Sequence, residues 1–267
     1  MNSYGVIESY KPISELDVKA EELKNLGYTT LTADYSKDEI EAIRNAALDT
    51  EEVYKNRYGN HRLNEIGEAN SFRAPGLINP LLWKPASHPL LQELLTKMIT
   101  GRHYLNQQNL VINPPKSVNY SQLRFHRDLP YQHYVSSRPL AINALYAVDD
   151  FTIENGATYV IPASHKSEIF PSENFIRNSQ IQIPVKAGTF LILDCMLYHA
   201  AASNQTISPR IGLNHVYSTP MLRPQIEWAK VYSENPECFP SNSHDLLGLD
   251  FTPPTSVDEF LKNQKNK

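Results

Sequence analysis

Three residues of this chain have side chains that could bind one divalent metal ion together. His126 and Asp128 are separated by a single residue, and His199 follows later in the chain. If residues 122–128 form a strand, side chains two apart project from the same face, so the imidazole and the carboxylate can converge on one point. Two histidines and one carboxylate leave adjacent positions of an octahedral ion open, as in non-haem iron oxygenases. The spacing therefore predicts a metal site that can take further ligands.

Taken one at a time, these residues also have simpler explanations. A His-x-Asp triplet occurs by chance at protein surfaces, and an isolated histidine such as His199 is more often a core residue bonded to the backbone. The sequence His-Arg-Asp-Leu also opens the catalytic loop of protein kinases. That loop needs an asparagine five residues after the aspartate, where this chain has His133, and the glycine-rich phosphate loop is missing as well. The kinase interpretation therefore fails.

Arg210 turns the separate candidates into an ordered set, because it begins the predicted strand after His199. A guanidinium can hold a carboxylate through two parallel hydrogen bonds, a geometry that lysine cannot match. The set predicts Fe(II) with 2-oxoglutarate and O2 as cosubstrates, and Arg210 as the residue that binds the distal carboxylate of 2-oxoglutarate. Two other classes stay open: a cupin-like metal-binding or small-molecule-binding protein without turnover, and a metal-dependent isomerase or hydrolase, which would not require Arg210.

Hydrophobic residues alternate with a period of two from about Asn109 onward, which is typical of strands with two distinct faces. The clearest run covers residues 140–148. Further strands are predicted over residues 122–128, 158–161, 180–185, 189–193 and 210–217. Many short strands with turn residues between them predict a mainly β fold with flanking helices (α+β), built on a jelly roll rather than on a doubly wound parallel sheet.

The first hundred residues are predicted to be mostly helical. A capping box at residues 36–39 opens one helix, and Pro89 opens another that should end near Gly101. Residues 60–87 are rich in Asn, Arg and Pro and are predicted to form a long loop, which could serve as a lid. The tail from residue 228 to 267 is predicted to lie on the surface.

The composition of the chain says more about its binding partners than about the chemistry of the predicted site. The 267 residues carry a net charge of −4, which gives no electrostatic reason to expect nucleic acid or an anionic membrane as a partner. No apolar run reaches the length of a signal peptide or of a membrane span, and two cysteines cannot form a disulfide framework. We expect a cytoplasmic protein with a small-molecule substrate, as a monomer or homodimer.

Four motifs in order make the sequence similar to the phytanoyl-CoA dioxygenase family, a branch of the Fe(II)/2-oxoglutarate oxygenases built on a double-stranded β-helix. They lie at residues 26–31, 125–132, 149–166 and 188–210. The third motif contains Asp-Asp-Phe-Thr-Ile-Glu-Asn-Gly followed by Val-Ile-Pro-Ala-Ser-His-Lys, and the fourth contains His199 and Arg210 at the spacing of the family. The resemblance covers about residues 23–225.

This resemblance implies a role for each matching residue. The iron ligands would be His126, Asp128 and His199, and the residues that bind 2-oxoglutarate would be Arg210, Asn143 and Thr158. Arg73, Arg127 and Tyr131 lie in or near segments that could face the substrate. His165 matches the family signature and is expected to be structural.

The reaction implied is hydroxylation of an unactivated C–H bond in a small-molecule metabolite or natural-product intermediate, with release of succinate and CO2. Desaturation or cyclisation remain alternatives, whereas Asp128 favours hydroxylation over halogenation, since halogenating relatives carry a small residue there. We expect a single domain over residues 1–267. It would consist of a helical part up to about residue 105, a jelly-roll core over about 106–225, and a C-terminal extension over 226–267.

Overall fold

Nine β-strands form two antiparallel sheets in the computed structural model, which describes residues 4–116, 120–129 and 134–264. The strands are β1 (Tyr28–Thr32), β2 (Ser71–Arg73), β3 (Tyr104–Asn113), β4 (Ala141–Ala147), β5 (Thr158–Val160), β6 (Ile181–Ile183), β7 (Thr189–Asp194), β8 (His199–Ala200) and β9 (Arg210–Ser218). The six-stranded sheet has the order β1-β7-β4-β9-β3-β2, and the three-stranded sheet has the order β6-β5-β8. The predicted mainly β, jelly-roll fold is confirmed.

Strand β4 shows why the larger sheet is buried on both faces. Ile142, Ala144 and Tyr146 point away from the smaller sheet and join the hydrophobic core that the helices cover. Asn143 and Leu145 point to the opposite face and line a cavity between the sheets. Since successive side chains of a strand alternate between faces, one strand contributes both to the core and to this cavity.

Nine α-helices flank the sheets within the described ranges. They are α1 (Glu15–Leu26), α2 (Lys37–Tyr58), α3 (Asn60–Glu65), α4 (Trp83–Ala86), α5 (Pro89–Met98), α6 (Glu173–Ser179), α7 (Trp228–Glu234), α8 (Ser243–Leu246) and α9 (Val257–Gln264). Helix α2 begins at the predicted capping box, in which Ser36 and Glu39 bond each other's backbone. Helix α5 begins at Pro89 as predicted and ends three residues before Gly101.

Residues 60–87 are more regular than the long loop that the sequence predicted. The segment contains the helices α3 and α4 and the strand β2, which pairs with β3. Short-range signals missed β2, because a three-residue edge strand is defined by its partner rather than by its own pattern.

The predicted strand over residues 122–128 is wrong. Residues Ser121–Leu123 form a 3-10 turn, and only His126 makes a bridge, to His199. In that bridge the His126 N–H donates to the His199 carbonyl at 2.9 Å, and the His199 N–H donates back at 3.1 Å. The two histidines are therefore joined through their backbones without a continuous strand.

The C-terminal tail does more than cover the surface. Trp228 of α7 is buried, and its ring packs edge-on against Trp83 with the centroids 5.9 Å apart. Leu246 and Leu247 belong to the same core. The expectation that the tail only wraps the surface is wrong at these residues, because their burial adds apolar area to the core under the helices. No helix in the described part of the chain is long and apolar enough to cross a membrane.

Candidate active site

The predicted metal ligands converge at one end of the cavity between the sheets. One ligand atom from each of His126, Asp128 and His199 lies within 4.8 Å of the others. His199 Nε2 is 3.7 Å from Asp128 Oδ1, and the two imidazole centroids are 4.4 Å apart. These separations suit three side chains around one ion, and the donor set is that of a two-histidine, one-carboxylate iron site.

Backbone hydrogen bonds fix the orientation of both imidazoles. His126 Nδ1 lies 2.8 Å from the carbonyl of Arg124, and His199 Nδ1 lies 3.0 Å from the carbonyl of Leu197. A carbonyl only accepts, so each Nδ1 carries the proton and each Nε2 keeps its lone pair for a metal. Burial lowers the pKa of His199, which favours the neutral imidazole that metal binding requires.

Asp128 is held through both its backbone and its side chain. Its N–H donates to the carbonyl of Cys195 at 3.1 Å. Its Oδ2 accepts a hydrogen bond from Nδ2 of Asn143 at 2.8 Å. Burial and the neighbouring Asp128 charge raise the pKa of the Cys195 thiol well above its usual range, so this thiol stays protonated.

Arg210 lines the same cavity and forms no ion pair with a carboxylate of the described residues. The residue is only 3% exposed, and its guanidinium stacks on the ring of Phe151 at 4.1 Å. Its Nε and Nη1 have no hydrogen-bond partner among the residues that the structure describes. Burial lowers the pKa of Arg210 to about 10, so the group stays charged at neutral pH. A buried cation with unpaired donors is costly, and a carboxylate ligand would remove that cost.

The cavity wall contains most of the predicted residues and several that sequence reasoning did not assign. Asn143 and Thr158 line it together with the metal ligands and Arg210, as the resemblance implied. Further polar residues in the wall are Tyr120, Gln122 and Asn214. Burial raises the pKa of Tyr120 to about 12, so its hydroxyl is neutral. No spacing signal in the sequence identifies Tyr120, since it lies outside any regular strand.

Of the three residues suggested for the substrate, the two that the structure describes do not line the cavity. Arg73 lies on β2 and forms an ion pair with Glu68, in which its Nε donates at 2.8 Å. Arg127 does not line the cavity; its Nε donates to the carbonyl of Met196 at 2.7 Å and its Nη2 to that of Ser164 at 3.1 Å. Tyr131 lies outside the described residues.

His165 is placed as a structural residue. Its ring Nε2 donates to the carbonyl of Lys24 at 3.2 Å, and it is not part of the metal-ligand group. Gly27, at φ +83, packs so closely on this ring that an added Cβ would lie 2.5 Å from Nδ1. His165 therefore connects the turn after β5 to the end of α1.

Fold and site together define a class of protein. A jelly roll that carries two histidines and an aspartate at one end of its cavity, and a buried arginine at the other, has the architecture of non-haem iron oxygenases. Comparison with known proteins agrees. A model of the family described as Phytanoyl-CoA dioxygenase (PhyH) matches residues 23–212. The chain belongs to this family, as its motifs predicted, and is an enzyme of this group of iron and 2-oxoglutarate oxygenases.

Individual known proteins are similar to this chain in structure or in sequence, all at low sequence identity. EctD from S. alaskensis, in a crystal structure with bound Fe, has a TM-score of 0.65 and 19% identity, over 94% of this chain and 90% of EctD. SnoN from nogalamycin biosynthesis, an alpha-ketoglutarate-dependent epimerase, has a TM-score of 0.58 and 18% identity, over 80% of this chain and 87% of SnoN. The protein Rv1501 of Mycobacterium tuberculosis is 25% identical over 93% of this chain and 92% of its own length.

Proposed function

We propose that this chain is an Fe(II)- and 2-oxoglutarate-dependent dioxygenase that hydroxylates an unactivated C–H bond of a small-molecule metabolite or natural-product intermediate. One observation carries the proposal. A single cavity contains three oriented metal ligands and a buried guanidinium with unpaired donors. A metal-binding protein without turnover, or a hydrolase, would need the ligands but would have no use for the buried, unpaired Arg210.

The residues divide the work between the two ends of the cavity. His126, Asp128 and His199 would hold Fe(II), with their outer hydrogen bonds fixing the direction of each ligand atom. Arg210 would bind the distal carboxylate of 2-oxoglutarate through its guanidinium, two of whose nitrogens, Nε and Nη1, have no hydrogen-bond partner among the described residues. When bound, iron and 2-oxoglutarate supply the oxidising chemistry that uses O2, releases succinate and CO2, and oxidises the substrate. The apolar side chains of Val111, Leu145 and Leu193, all from the larger sheet, would limit the access of water to the cavity.

An anaerobic titration tests the metal and cosubstrate assignments directly. Protein loaded with Fe(II) should develop a weak visible absorption band when 2-oxoglutarate is added, because the cosubstrate chelates the iron. His199→Ala should lose the band. His165→Ala is the matched control, since it removes a buried histidine outside the metal-ligand group whose ring donates to the backbone carbonyl of Lys24. If the wild-type protein with its full complement of iron shows no band, the oxygenase proposal is wrong.

The reaction itself is tested by the product. A screen of candidate metabolites for substrate-dependent succinate release would identify the substrate, and mass spectrometry would identify the change. Gain of one oxygen atom supports hydroxylation, loss of two hydrogens indicates desaturation or cyclisation, and an unchanged mass indicates epimerisation. Hydroxylation is favoured because an EctD crystal structure with 22% identity and a TM-score of 0.64, covering 82% of each chain, contains 2-oxoglutarate and 5-hydroxyectoine.

A further inference from the structure

Each of the three metal-ligand residues has one atom bonded to an outer partner and another facing the other ligands. For the histidines the outer partner is a carbonyl two residues earlier in the chain, that of Arg124 for His126 and that of Leu197 for His199. These partners belong to the backbone, so almost any residue at those positions could supply them. Asp128 differs, because the side-chain partner of its Oδ2 is Asn143 on the separate strand β4.

The chemistry of the pair settles which end of the amide faces Asp128. An ionised carboxylate only accepts hydrogen bonds, so the Asn143 nitrogen must point toward Oδ2. Asn143 is buried, with 4% of its surface exposed, and no described residue forms a hydrogen bond with its own Oδ1. The amide is fixed in the wall by β4, which pairs with β7 on one side and β9 on the other. A residue in the middle of a sheet can hold a partner more rigidly than a residue on a loop.

We propose that Asn143 is a positioning residue that holds the Asp128 carboxylate so that it presents a single oxygen, Oδ1, to the metal. The inference rests on the proposed function. With Oδ2 bonded to the amide, Oδ1 is the oxygen directed toward His199 Nε2. A carboxylate that used both oxygens would occupy one of the positions that the cosubstrate and O2 need. Asn143 thus orients Asp128, a role beyond the binding of 2-oxoglutarate that the resemblance implied.

Replacement of Asn143 tests this role with two readouts. Asn143→Leu keeps a side chain of similar size and removes the donor, and Asn143→Ser is a second variant if the leucine does not fold. We expect the dissociation constant for Mn(II), titrated into apo protein, to rise about 10- to 100-fold. We also expect the absorption maximum of the Fe(II)–2-oxoglutarate complex to shift, because the coordination of Asp128 changes.

Asn106→Leu is the matched control. Asn106 is a buried asparagine of the same sheet whose amide donates to Ser218 Oγ at 3.1 Å and to the Arg223 carbonyl at 2.9 Å, and it does not line the cavity. It should lower thermal stability while leaving Mn(II) affinity and the absorption maximum unchanged.

The outcomes separate this inference from the proposed function. If the wild-type protein shows neither Mn(II) binding nor the absorption band, the proposed function itself fails. If the wild-type protein shows both, and the Asn143 variants keep its affinity and absorption maximum, only the positioning role is overturned. Equal losses of affinity in the Asn143 and Asn106 variants would also overturn it, because the effect would then be a general loss of stability.

Discussion

At the predicted metal end of the cavity His126, Asp128 and His199 each have an outer hydrogen-bond partner, whereas at the other end two donors of Arg210 have none within the described ranges. Arg210 and His199 are buried, whereas His126 and Asp128 are half-buried, and both ends are built on strands or bridges of the sheets. His126, His199 and Asp128 are oriented by groups of the protein itself. Arg210 is supported by the face of Phe151, and its Nε and Nη1 are unpaired.

The difference shows what each end requires. The metal end is organised before a metal arrives, so binding loses little freedom of the ligands. The Arg210 end is complete only when an anion binds, because a desolvated guanidinium with unpaired donors is unfavourable by itself. We therefore expect binding of an anion beside Arg210 to stabilise the apo protein more than the small size of the anion suggests.

Substitution of Arg210 should have the largest effect. Arg210→Met removes both unpaired donors and should weaken 2-oxoglutarate binding by about 100-fold or more, since each charge-assisted hydrogen bond contributes about 1.5–3 kcal/mol. Arg210→Lys keeps the charge but cannot form two parallel hydrogen bonds. Its affinity for 2-oxoglutarate should lie between that of Arg210→Met and that of the wild type. Anaerobic titration of the visible band gives the affinities, and Mn(II) affinity should not change in either variant.

Thermal unfolding of Arg210→Met and Asn143→Leu gives a second test of the difference between the two ends of the cavity. Apo Arg210→Met should be at least as stable as the wild-type apo protein, because it removes a buried charge that lacks a partner. Asn143→Leu should instead be less stable, since it breaks an existing hydrogen bond. A marked loss of stability in apo Arg210→Met would show that the arginine end is already satisfied without a ligand.

Asp194 is a buried carboxyl outside the cavity, and its ionisation should lower the free energy of unfolding. Burial raises the pKa of Asp194 from 3.8 to about 6. The folded protein therefore binds this proton more tightly than the unfolded chain, and the resulting stability is present below about pH 4 and is lost as the pH rises through about 6. The loss is at most about 3 kcal/mol, from roughly two pKa units.

Asp194→Asn should remove this dependence, since the amide oxygen can still accept the Met196 N–H that Asp194 Oδ1 accepts at 2.8 Å. Urea unfolding should show the variant more stable than the wild type near pH 7 and no more stable near pH 4. A variant with the same advantage at both pH values would contradict the assigned cause.

The smallest effect is expected at Arg44, which supports the Arg210 end from helix α2. Arg44 Nε donates to Asp149 Oδ1 at 2.7 Å, and Asp149 Oδ2 accepts the N–H of Ile211, the neighbour of Arg210. The Arg44 side chain is 35% exposed, so solvent screens the pair. Arg44→Ala should weaken 2-oxoglutarate binding only about two- to fivefold.

Arg73→Ala is a matched control for this change, because the ion pair of Arg73 with Glu68 is about as exposed and Arg73 does not line the cavity. Its 2-oxoglutarate affinity should equal that of the wild type. Equal weakening by both substitutions would point to a general effect on the fold rather than to support of Arg210. An effect of Arg73→Ala on substrate affinity alone would favour its predicted substrate role.

Local patterns were sufficient for several elements. The sequence pattern predicted β4 to within a residue at each end, because a short apolar run bounded by turn residues is typical of a strand buried on both faces. The capping box at Ser36 and the proline at position 89 fixed the starts of α2 and α5. Helix α1 carried a similar signal, a capping box of Ser14 with Asp17, but with aspartate in place of the usual Glu or Gln.

The sequence by itself determined which residues are the candidates for the site: residue type, order and spacing predicted His126, Asp128, His199 and Arg210, and the structure places them around one cavity. Only the tertiary structure decided how these side chains are held. The bond from Asn143 to Asp128 joins two distant segments, and no periodicity in either segment encodes it. Ligand identity is a property of a residue, whereas orientation depends on partners that only folding brings within hydrogen-bond distance.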